Sequence, residues 1–520
     1  MGISNLSDAL LFGGTFEFNT GVPSVRRSAG THRIATFMRN YGYDVEVFDF
    51  LMSWSLDELK SLVKSRVNAD TEVIGFGGTF NINFPTVCEF VDWIKENYPD
   101  IKTVAGSQSF QTIHQLNVDY HVVGFAEKAM IEILRGTVKY VERPWNEEGD
   151  YRRVIEALHE YPSFPMDELS IEYEDRDFLD PNESLTMECA RGCIFKCKFC
   201  TFPILGVRDD HTRSAVDFEK NLKTNFDLWG ITKYSIADET FNDYTEKVIK
   251  YADVVEKLDF EPHFHGYIRA DLLAARPDDI EHLARMRYNG HFYGIESFNH
   301  ASAKSIGKGM DPDKLKETIL YTKEYMKKHT GFYKGLISLI VGLPHETEET
   351  VNNTWGWIKN NWQGESLTIN PLFIPREGTT INTSVFSRDY KNYGYTDNTW
   401  DNIFIENDER IEAIYNDNTT STEIKNYIRM LTTGVANDHF SIPWENDEYN
   451  AWEAIVKTSQ LYADNHWQFG PNPYKFYEWF VAGHSLNDMM KSFEEIGSFS
   501  PSLDILQKFI YDYKIKKLEL

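Results

Sequence analysis

Cysteine is scarce in this chain, with five in 520 residues. Four of the five lie between Cys189 and Cys200, which leaves Cys88 alone before them and none after. Such a distribution excludes a disulfide framework and points to a reducing compartment, so a cytoplasmic location is expected. Basic residues are also in deficit, 53 against 80 acidic, for a net charge of -27. That sign repels a polyphosphate backbone, so a nucleic-acid substrate is disfavoured. No apolar run reaches the roughly 18 residues of a membrane span, and none is expected. The opening stretch MGISNLSDALLFGG lacks the basic residues that begin a secretory signal. Aromatics, in contrast, are plentiful: 35 Phe, 28 Tyr and 12 Trp. They can fill large cores, and the length allows roughly two to four domains.

Residues 1–135 alternate short apolar runs with helix-like segments. Strands are expected at Leu10–Phe12, Val45–Phe50, Val73–Phe76, Lys102–Ala105 and Tyr120–Val123, with helices between them. Alternation of this kind implies a doubly wound, flavodoxin-like parallel sheet. The string Phe-Gly-Gly-Thr-Phe occurs twice, at 12–16 and 76–80, each time at a strand end. A third small-residue turn contains Gly106. In a flavodoxin-like order the first and third strands are neighbours where ligands bind. Gly13, Gly14, Thr15, Gly77, Gly78, Thr79 and Gly106 are therefore candidates for close approach to a ligand, or turn residues only. Residues 136–183 are acidic, interrupted by proline and poorly periodic, and read as a linker. Residues 184–385 again alternate strand and helix, and 386–520 carry helical periodicity with five of the twelve tryptophans. An aromatic helical layer there would cap a barrel mouth and exclude water.

The densest chemistry is CARGCIFKCKFC, residues 189–200. Cys193, Cys197 and Cys200 stand at Cys-x3-Cys-x2-Cys spacing. Three thiolates on one short loop can hold three corners of a [4Fe–4S] cube and leave the fourth iron open. A structural zinc site is closed by four ligands, commonly two separated pairs, and fits the triplet poorly. Cys189 ends a strand-like run and reads as a strand residue, and Cys88 as a core residue.

That spacing resembles the signature of the radical S-adenosylmethionine (radical SAM) enzymes. The wider string Arg191-Gly192-Cys193…Cys197-Lys198-Phe199-Cys200 resembles the branch that carries a cobalamin-binding-type domain in front. The resemblance implies an incomplete (β/α) barrel over 184–385, between the first domain and a C-terminal helical cap. It also implies that SAM fills the open iron and is cleaved to a 5′-deoxyadenosyl radical, with electrons from an external flavodoxin- or ferredoxin-type donor. Asp238-Glu239-Thr240 resembles the family's acidic turn near the SAM amino group, and Tyr267-Ile268-Arg269-Ala270-Asp271 its Arg-x-Asp strand end. Gly294-Ile295-Glu296-Ser297 matches Gly-Ile-Glu-Ser. Gly342-Leu343-Pro344-His345-Glu346-Thr347 resembles Gly-Leu-Pro-Gly-Glu-Thr, with His345 replacing Gly. By this resemblance Phe199, Asp238, Glu239, Arg269, Glu296 and Gly342 belong to the SAM site. Each strand-end residue would lie where βα loops converge. His263, His265 and His291 are read as packed residues of the barrel.

The glycine-rich turns of the first domain become the cobalamin candidates. Gly124-Phe125-Ala126-Glu127 departs from the Gly-Glu-Gly-Glu that such domains often carry. Asp119-x-His121-x-x-Gly124 spells the cobalt-ligating motif of other cobalamin proteins, but it lies within the fifth strand and is set aside. Cysteine arithmetic then prunes the reactions. A methylthiotransferase needs a second cluster in the first domain, auxiliary-cluster enzymes need later cysteines, and some nucleic-acid methylases need a methyl-carrying one. None of these is present. What remains is a one-cluster enzyme acting on a small molecule or peptide. With cobalamin, methyl transfer to an unactivated carbon is expected. Without it, another radical C–H reaction such as cyclisation, oxidation or rearrangement is expected. The reading from another class is a non-catalytic cluster- or corrin-binding protein.

Overall fold

Two parallel sheets organise the chain, one in each half. The computed structural model describes residues 7–14, 27–77, 85–107, 113, 115–144, 150–157, 166–200, 211–346, 348–362, 365–372, 374, 384–393, 396–397, 440–441 and 503–519. The first half runs β1 (Ala9–Gly13), α1 (Ala29–Asn40), β2 (Val45–Phe48), α2 (Leu56–Arg66), β3 (Val73–Gly77), α3 (Pro85–Asn97), β4 (Lys102–Ser107), β5 (Tyr120–Val123), α4 (Glu127–Leu134), β6 (Val141–Pro144) and β7 (Tyr151–Glu156). Its sheet order is β2-β1-β3-β4-β5-β7-β6, so β1 and β3 are neighbours as the flavodoxin-like order requires.

The apolar runs form strands because helices cover both faces of the sheet. Successive side chains of β1 point to opposite sides. Leu10 and Phe12 join Phe48, Ile74, Phe76 and Phe90 in one core, while Ala9 and Leu11 join Val45, Val47, Val104 and Val122 in the other. Phe12 stacks on Phe48 at 4.9 Å and meets the edge of Phe90 at 5.3 Å. Burying each such ring stabilises the fold by about 1.5–3 kcal/mol. Ser28 caps α1 by accepting from the Thr31 N–H, and Ser55 with Glu58 forms a capping box on α2.

The expected linker departs from its reading. β7 extends the sheet beside β5, and β6 pairs antiparallel with β7 at the edge. Its sequence, Tyr-Arg-Arg-Val-Ile-Glu, buries only Val154 and Ile155 fully, so charge masks the strand. Residues 166–183 do run between the halves, with Ile171 and Tyr173 in the second core and Glu183 paired to Arg27 at 2.7 Å.

The second half contains β8 (Ser184–Met187), the short bridge β9 (Ala190–Arg191) with β10 (His211–Thr212), α5 (Ala215–Trp229), β11 (Lys233–Ile236), α6 (Thr245–Val255), β12 (His263–Ile268), α7 (Ala270–Ala275), α8 (Asp279–Arg285), β13 (Gly290–Glu296), α9 (His300–Ser305), α10 (Pro312–Thr330), β14 (Lys334–Val341), α11 (Glu348–Asn361), β15 (Ser366–Pro371) and α12 (Val385–Asp389). Six of these strands form a parallel sheet in the order β15-β14-β13-β12-β11-β8, an open barrel built in chain sequence. The three histidines pack. His263 bonds Asn289 at 2.8 Å, His265 bonds Ser184 at 3.2 Å, and His291 bonds the Tyr288 carbonyl at 2.7 Å.

Helix α13 (Leu503–Glu519) is the described helix of the expected C-terminal helical region. It packs on the first domain, where Phe509, Ile510 and Tyr513 share a core with Phe50, Trp54 and Leu59. The Asp49 N–H donates to the Tyr513 hydroxyl at 2.8 Å, and buried Lys517 pairs with Glu46 at 3.0 Å. The other helices expected after residue 400, and all five tryptophans of that segment, lie outside the described residues. Among the described residues, no helix is long and apolar enough to cross a membrane.

Candidate functional site

The cysteine loop is held from behind. The Asp238 carboxylate accepts from the N–H groups of Cys189 and Ala190 at 2.7 and 3.0 Å, and Lys247 stands 3.4 Å from its other oxygen. Burial pushes Asp238 up to about 6 against the pull of Lys247 and those two N–H groups. Tyr251 donates its hydroxyl to the Cys189 carbonyl at 3.1 Å. Asp238, expected in the SAM site, therefore turns one oxygen to the root of the loop and the other to Lys247 of α6. Cys189 is fully buried in the barrel core. Phe199, also expected near SAM, packs on a small core of Ile306, Leu343, Leu372, Ile374 and Phe386. An aromatic ring at that depth anchors the loop by area, which explains its orientation.

Cys193, Cys197 and Cys200 are half-buried and in no disulfide, on the loop beyond this root. Thr240 Oγ1 lies 3.7 Å from Cys193 Sγ, and Arg269 Nη1 donates toward Cys197 Sγ at 3.8 Å. The Arg269 guanidinium lies 3.8 Å over the Phe195 ring, and its Nε bonds Asp271 at 3.0 Å. Among the described residues, no three His, Cys, Asp or Glu side chains converge on one single-ion site. A four-iron cube takes each thiolate at a different iron, so three separated thiols with donors aimed at sulfur fit that group.

The neighbouring strand ends carry the other barrel residues. Glu296 closes β13 at a bulge against β14 with φ +65°, a backbone conformation rare outside glycine. Its carboxylate pairs with Lys308 at 2.9 Å. Gly342 has φ +94°, and its N–H donates to Glu346 at 2.7 Å, as the Leu343 N–H does at 3.0 Å. Burial pushes Glu346 up to about 8. His345 has φ +68°, which is the physical reason for glycine in the pattern it departs from. Thr347 lies outside the described residues.

A cavity of about 270 Å³ opens at the C-terminal edge of the first sheet and reaches the barrel. Leu11, Val104 and Val122 form its apolar wall, and Glu188, Ala237 and Glu239 come from the barrel side. Gly77 and Gly106 line it, but Gly13 and Gly14 do not. A Cβ on Gly13 would meet Ser28 and Thr31 at 2.7 Å, and one on Gly14 the Leu51 N–H at 2.9 Å, so those two serve packing. Thr15, Gly78 and Thr79 lie outside the described residues. His121 is turned into the domain, bonded to the Leu116 carbonyl at 3.0 Å and pushed down to about 4 by burial.

Four charged residues to which the motifs gave no role cross this seam. Arg191, two positions before Cys193, meets Glu127 of the first domain at 3.0 Å and Glu188 at 3.1 Å. Arg33 of α1 pairs with Glu188 at 2.7 Å. Arg191 also lies 4.3 Å over Phe125. Glu127 is the one acidic residue of the departing Gly-Phe-Ala-Glu string, and that was its signal. The Gly192 N–H donates to Glu239 at 3.1 Å, and burial with the nearby Glu188 charge pushes Glu239 up to about 8. A mostly apolar chamber with charged groups at one rim suits a large flat cofactor with polar edges, and the corrin of cobalamin is one.

Residues 187–358 match the sequence profile of the Radical SAM superfamily. No curated protein matches. Among solved structures, the radical S-adenosylmethionine methyltransferase TsrM from Kitasatospora setae, with tryptophan substrate and a SAM analogue bound, is similar at TM-score 0.59 and 12% identity. That match covers 97% of this chain and 99% of that one. TsrM with cobalamin and a [4Fe–4S] cluster aligns at TM-score 0.57 and 14% identity, over 76% and 78% of the two chains. The cobalamin-dependent S-adenosylmethionine radical enzyme OxsB, with aqua-cobalamin and S-adenosylmethionine bound, aligns at 0.53 and 14%, over 99% of this chain and 80% of that one. At such identities the likeness concerns the fold. Residues 187–358 thus form a Radical SAM domain, and the two parallel sheets together share the fold of these cobalamin-dependent radical SAM enzymes.

Proposed function

We propose that the chain is a cobalamin-dependent C-methyltransferase acting on a small molecule or peptide in the cytoplasm. The observation that carries this reading is the cavity between the two sheets, which ends at Glu188, Ala237 and Glu239 beside the cysteine loop. A corrin seated there would face the site where SAM is cleaved.

In this reading Cys193, Cys197 and Cys200 hold the cluster, and Arg269, Glu239, Glu296 and Gly342 surround SAM. When bound, the cluster supplies the electron that splits the sulfonium of SAM, and the corrin carries the methyl group. The chain's own residues orient and seal. Asp238 and Tyr251 fix the loop root, and Arg269 brings positive charge to the Cys197 sulfur. Glu127, Arg191, Glu188 and Arg33 tie the loop to the cavity rim. At Gly106 a side chain would enter the cavity, since among the described residues the nearest atom to its Cβ position is the Val122 carbonyl oxygen at 4.0 Å.

Anaerobic reconstitution with iron, sulfide and hydroxocobalamin tests the proposal. It predicts a stoichiometric base-off corrin spectrum and reductant-dependent formation of 5′-deoxyadenosine. Deoxyadenosine without retained corrin would leave a cobalamin-independent radical C–H reaction. Corrin or cluster retention without SAM cleavage under any reductant would leave a binding protein.

A further inference from the structure

Against an overall charge of -27, the rim of the cysteine loop is basic. Lys196 and Lys198 flank Cys197. Two other segments close on them. The Lys198 N–H donates to the Ile306 carbonyl at 3.1 Å, just past α9, which carries Lys304. The Phe386 N–H donates to the Lys198 carbonyl at 3.2 Å, at the start of α12, which carries Arg388 and leads to Lys391. Phe199, Ile306 and Phe386 share one small core beneath, so the three segments form a single face.

Lys196, Lys304, Arg388 and Lys391 are exposed, and Lys198 lies 5.1 Å over the Tyr393 ring. None of the five pairs with a carboxylate among the described residues, whereas nearby Lys308 is committed inward to Glu296. Asp389 is the one acidic residue on segments 196–199, 304–307 and 384–393.

We propose that this face docks an acidic one-electron donor protein; the inference rests on reading Cys193, Cys197 and Cys200 as cluster ligands. Electron transfer requires the donor's redox group to approach the cluster, and the cysteine loop carries two of the five cations itself. Opposite potentials steer such encounters and fix their orientation. The net negative charge of the chain repels the same donor elsewhere, which directs an acidic partner to this basic face. The transfer balances simply: the donor loses one electron, the oxidised cluster gains it, and no atom moves.

The test uses the reconstituted holoenzyme and a flavodoxin as the acidic probe. Oxidised flavodoxin affinity is measured at low salt and at about 0.5 M salt, where screening collapses to a few ångströms. Deoxyadenosine formation is measured with reduced flavodoxin and, separately, with dithionite. Lys304→Glu with Lys391→Glu should weaken flavodoxin binding at low salt by roughly tenfold or more, with the difference shrinking at high salt. Flavodoxin-driven turnover should fall in parallel while dithionite-driven turnover stays at the wild-type level. Replacing the same two lysines by Gln should give a smaller loss in the same direction. Wild-type affinity and flavodoxin-driven rate in the charge-reversed variant would overturn the proposal. So would an RNA oligonucleotide that binds this face where flavodoxin does not. If dithionite releases no deoxyadenosine from the wild type, the cluster reading fails, while flavodoxin affinity still decides the docking face on its own.

Discussion

The two sheets meet the central cavity with edges built from opposite materials. The barrel strands end in charge, and each charge already has a partner: Asp238 with Lys247, Arg269 with Asp271, Glu296 with Lys308. The first sheet meets the cavity with Gly77, Gly106, Leu11, Val104 and Val122. Partnered charges on rigid strand ends suit a small zwitterion recognised by hydrogen bonds, because each group is oriented before the ligand arrives. An apolar shelf suits a large flat ligand held by contact area. One chain thus offers two kinds of binding surface, joined at a seam of Arg33, Glu127, Glu188 and Arg191.

The most severe way to separate the two edges is Cys197→Ala. It should abolish the visible absorption of the reconstituted cluster and all deoxyadenosine formation, while the first domain still retains corrin. Loss of corrin along with the cluster would show that the two surfaces are not independent. The next largest effect falls on the other side. Tyr513→Ala removes a fully buried ring packed on Phe50 at 5.3 Å and the hydroxyl that accepts from the Asp49 N–H. It should cost the first domain about 3–5 kcal/mol, the range for truncating a buried aromatic. Denaturant unfolding followed by domain-specific probes should show the first domain's transition move and the barrel's stay.

That asymmetry also marks how far the sequence could be read. The barrel was legible because its chemistry sits at strand ends, and successive ends repeat a recognisable polar residue after an apolar run. The flavodoxin-like order was legible because strands buried on both faces must be apolar throughout. β6 and β7 were hidden because this margin of the sheet, with β6 at its edge, carries arginine and glutamate on its open faces. Helix α13 was recognisable as a helix, but an apolar stripe does not say which core receives it. The contacts that Asp238 and Phe199 make with the loop root and the small core beneath it were not legible, since a position at a strand end leaves side-chain orientation to the packing around it. The seam pairs were invisible for a related reason: Arg191 and Glu127 are 64 positions apart, and nothing local couples them.

Gly106→Leu probes the cavity edge alone. Among the described residues nothing comes closer than 4.0 Å to the site of its Cβ, unlike that of Gly77, where Thr31 Oγ1 would lie 2.5 Å away. A leucine there projects into the chamber without disturbing the strand. Corrin retention should fall roughly tenfold or more, in line with the about 1–3 kcal/mol that overfilling a packed space costs. Cluster content and deoxyadenosine formation should persist. If deoxyadenosine formation falls in step with corrin, the seam transmits the state of the cavity to the loop.

The smallest effect is a slope rather than a loss, and it isolates the barrel edge. Glu346 is held by burial up to about 8, well above its ordinary value of 4.5. A carboxyl raised in this way binds its proton more tightly folded than unfolded, so folding is favoured while it stays protonated. Its contribution is complete below pH 4.5 and is lost as pH rises through about 8. Glu239, also raised to about 8, adds a second contribution of the same sign. Glu346→Gln keeps an oxygen to accept from the Gly342 and Leu343 N–H groups but removes the titration. Its melting temperature should therefore decline less steeply than the wild type's between pH 6 and 8.5, with the remaining slope owed in part to Glu239. Parallel slopes in the two proteins would mean that the buried carboxyl beside Gly342 is ionised throughout. The barrel edge would then carry an uncompensated charge where this geometry places a neutral acid.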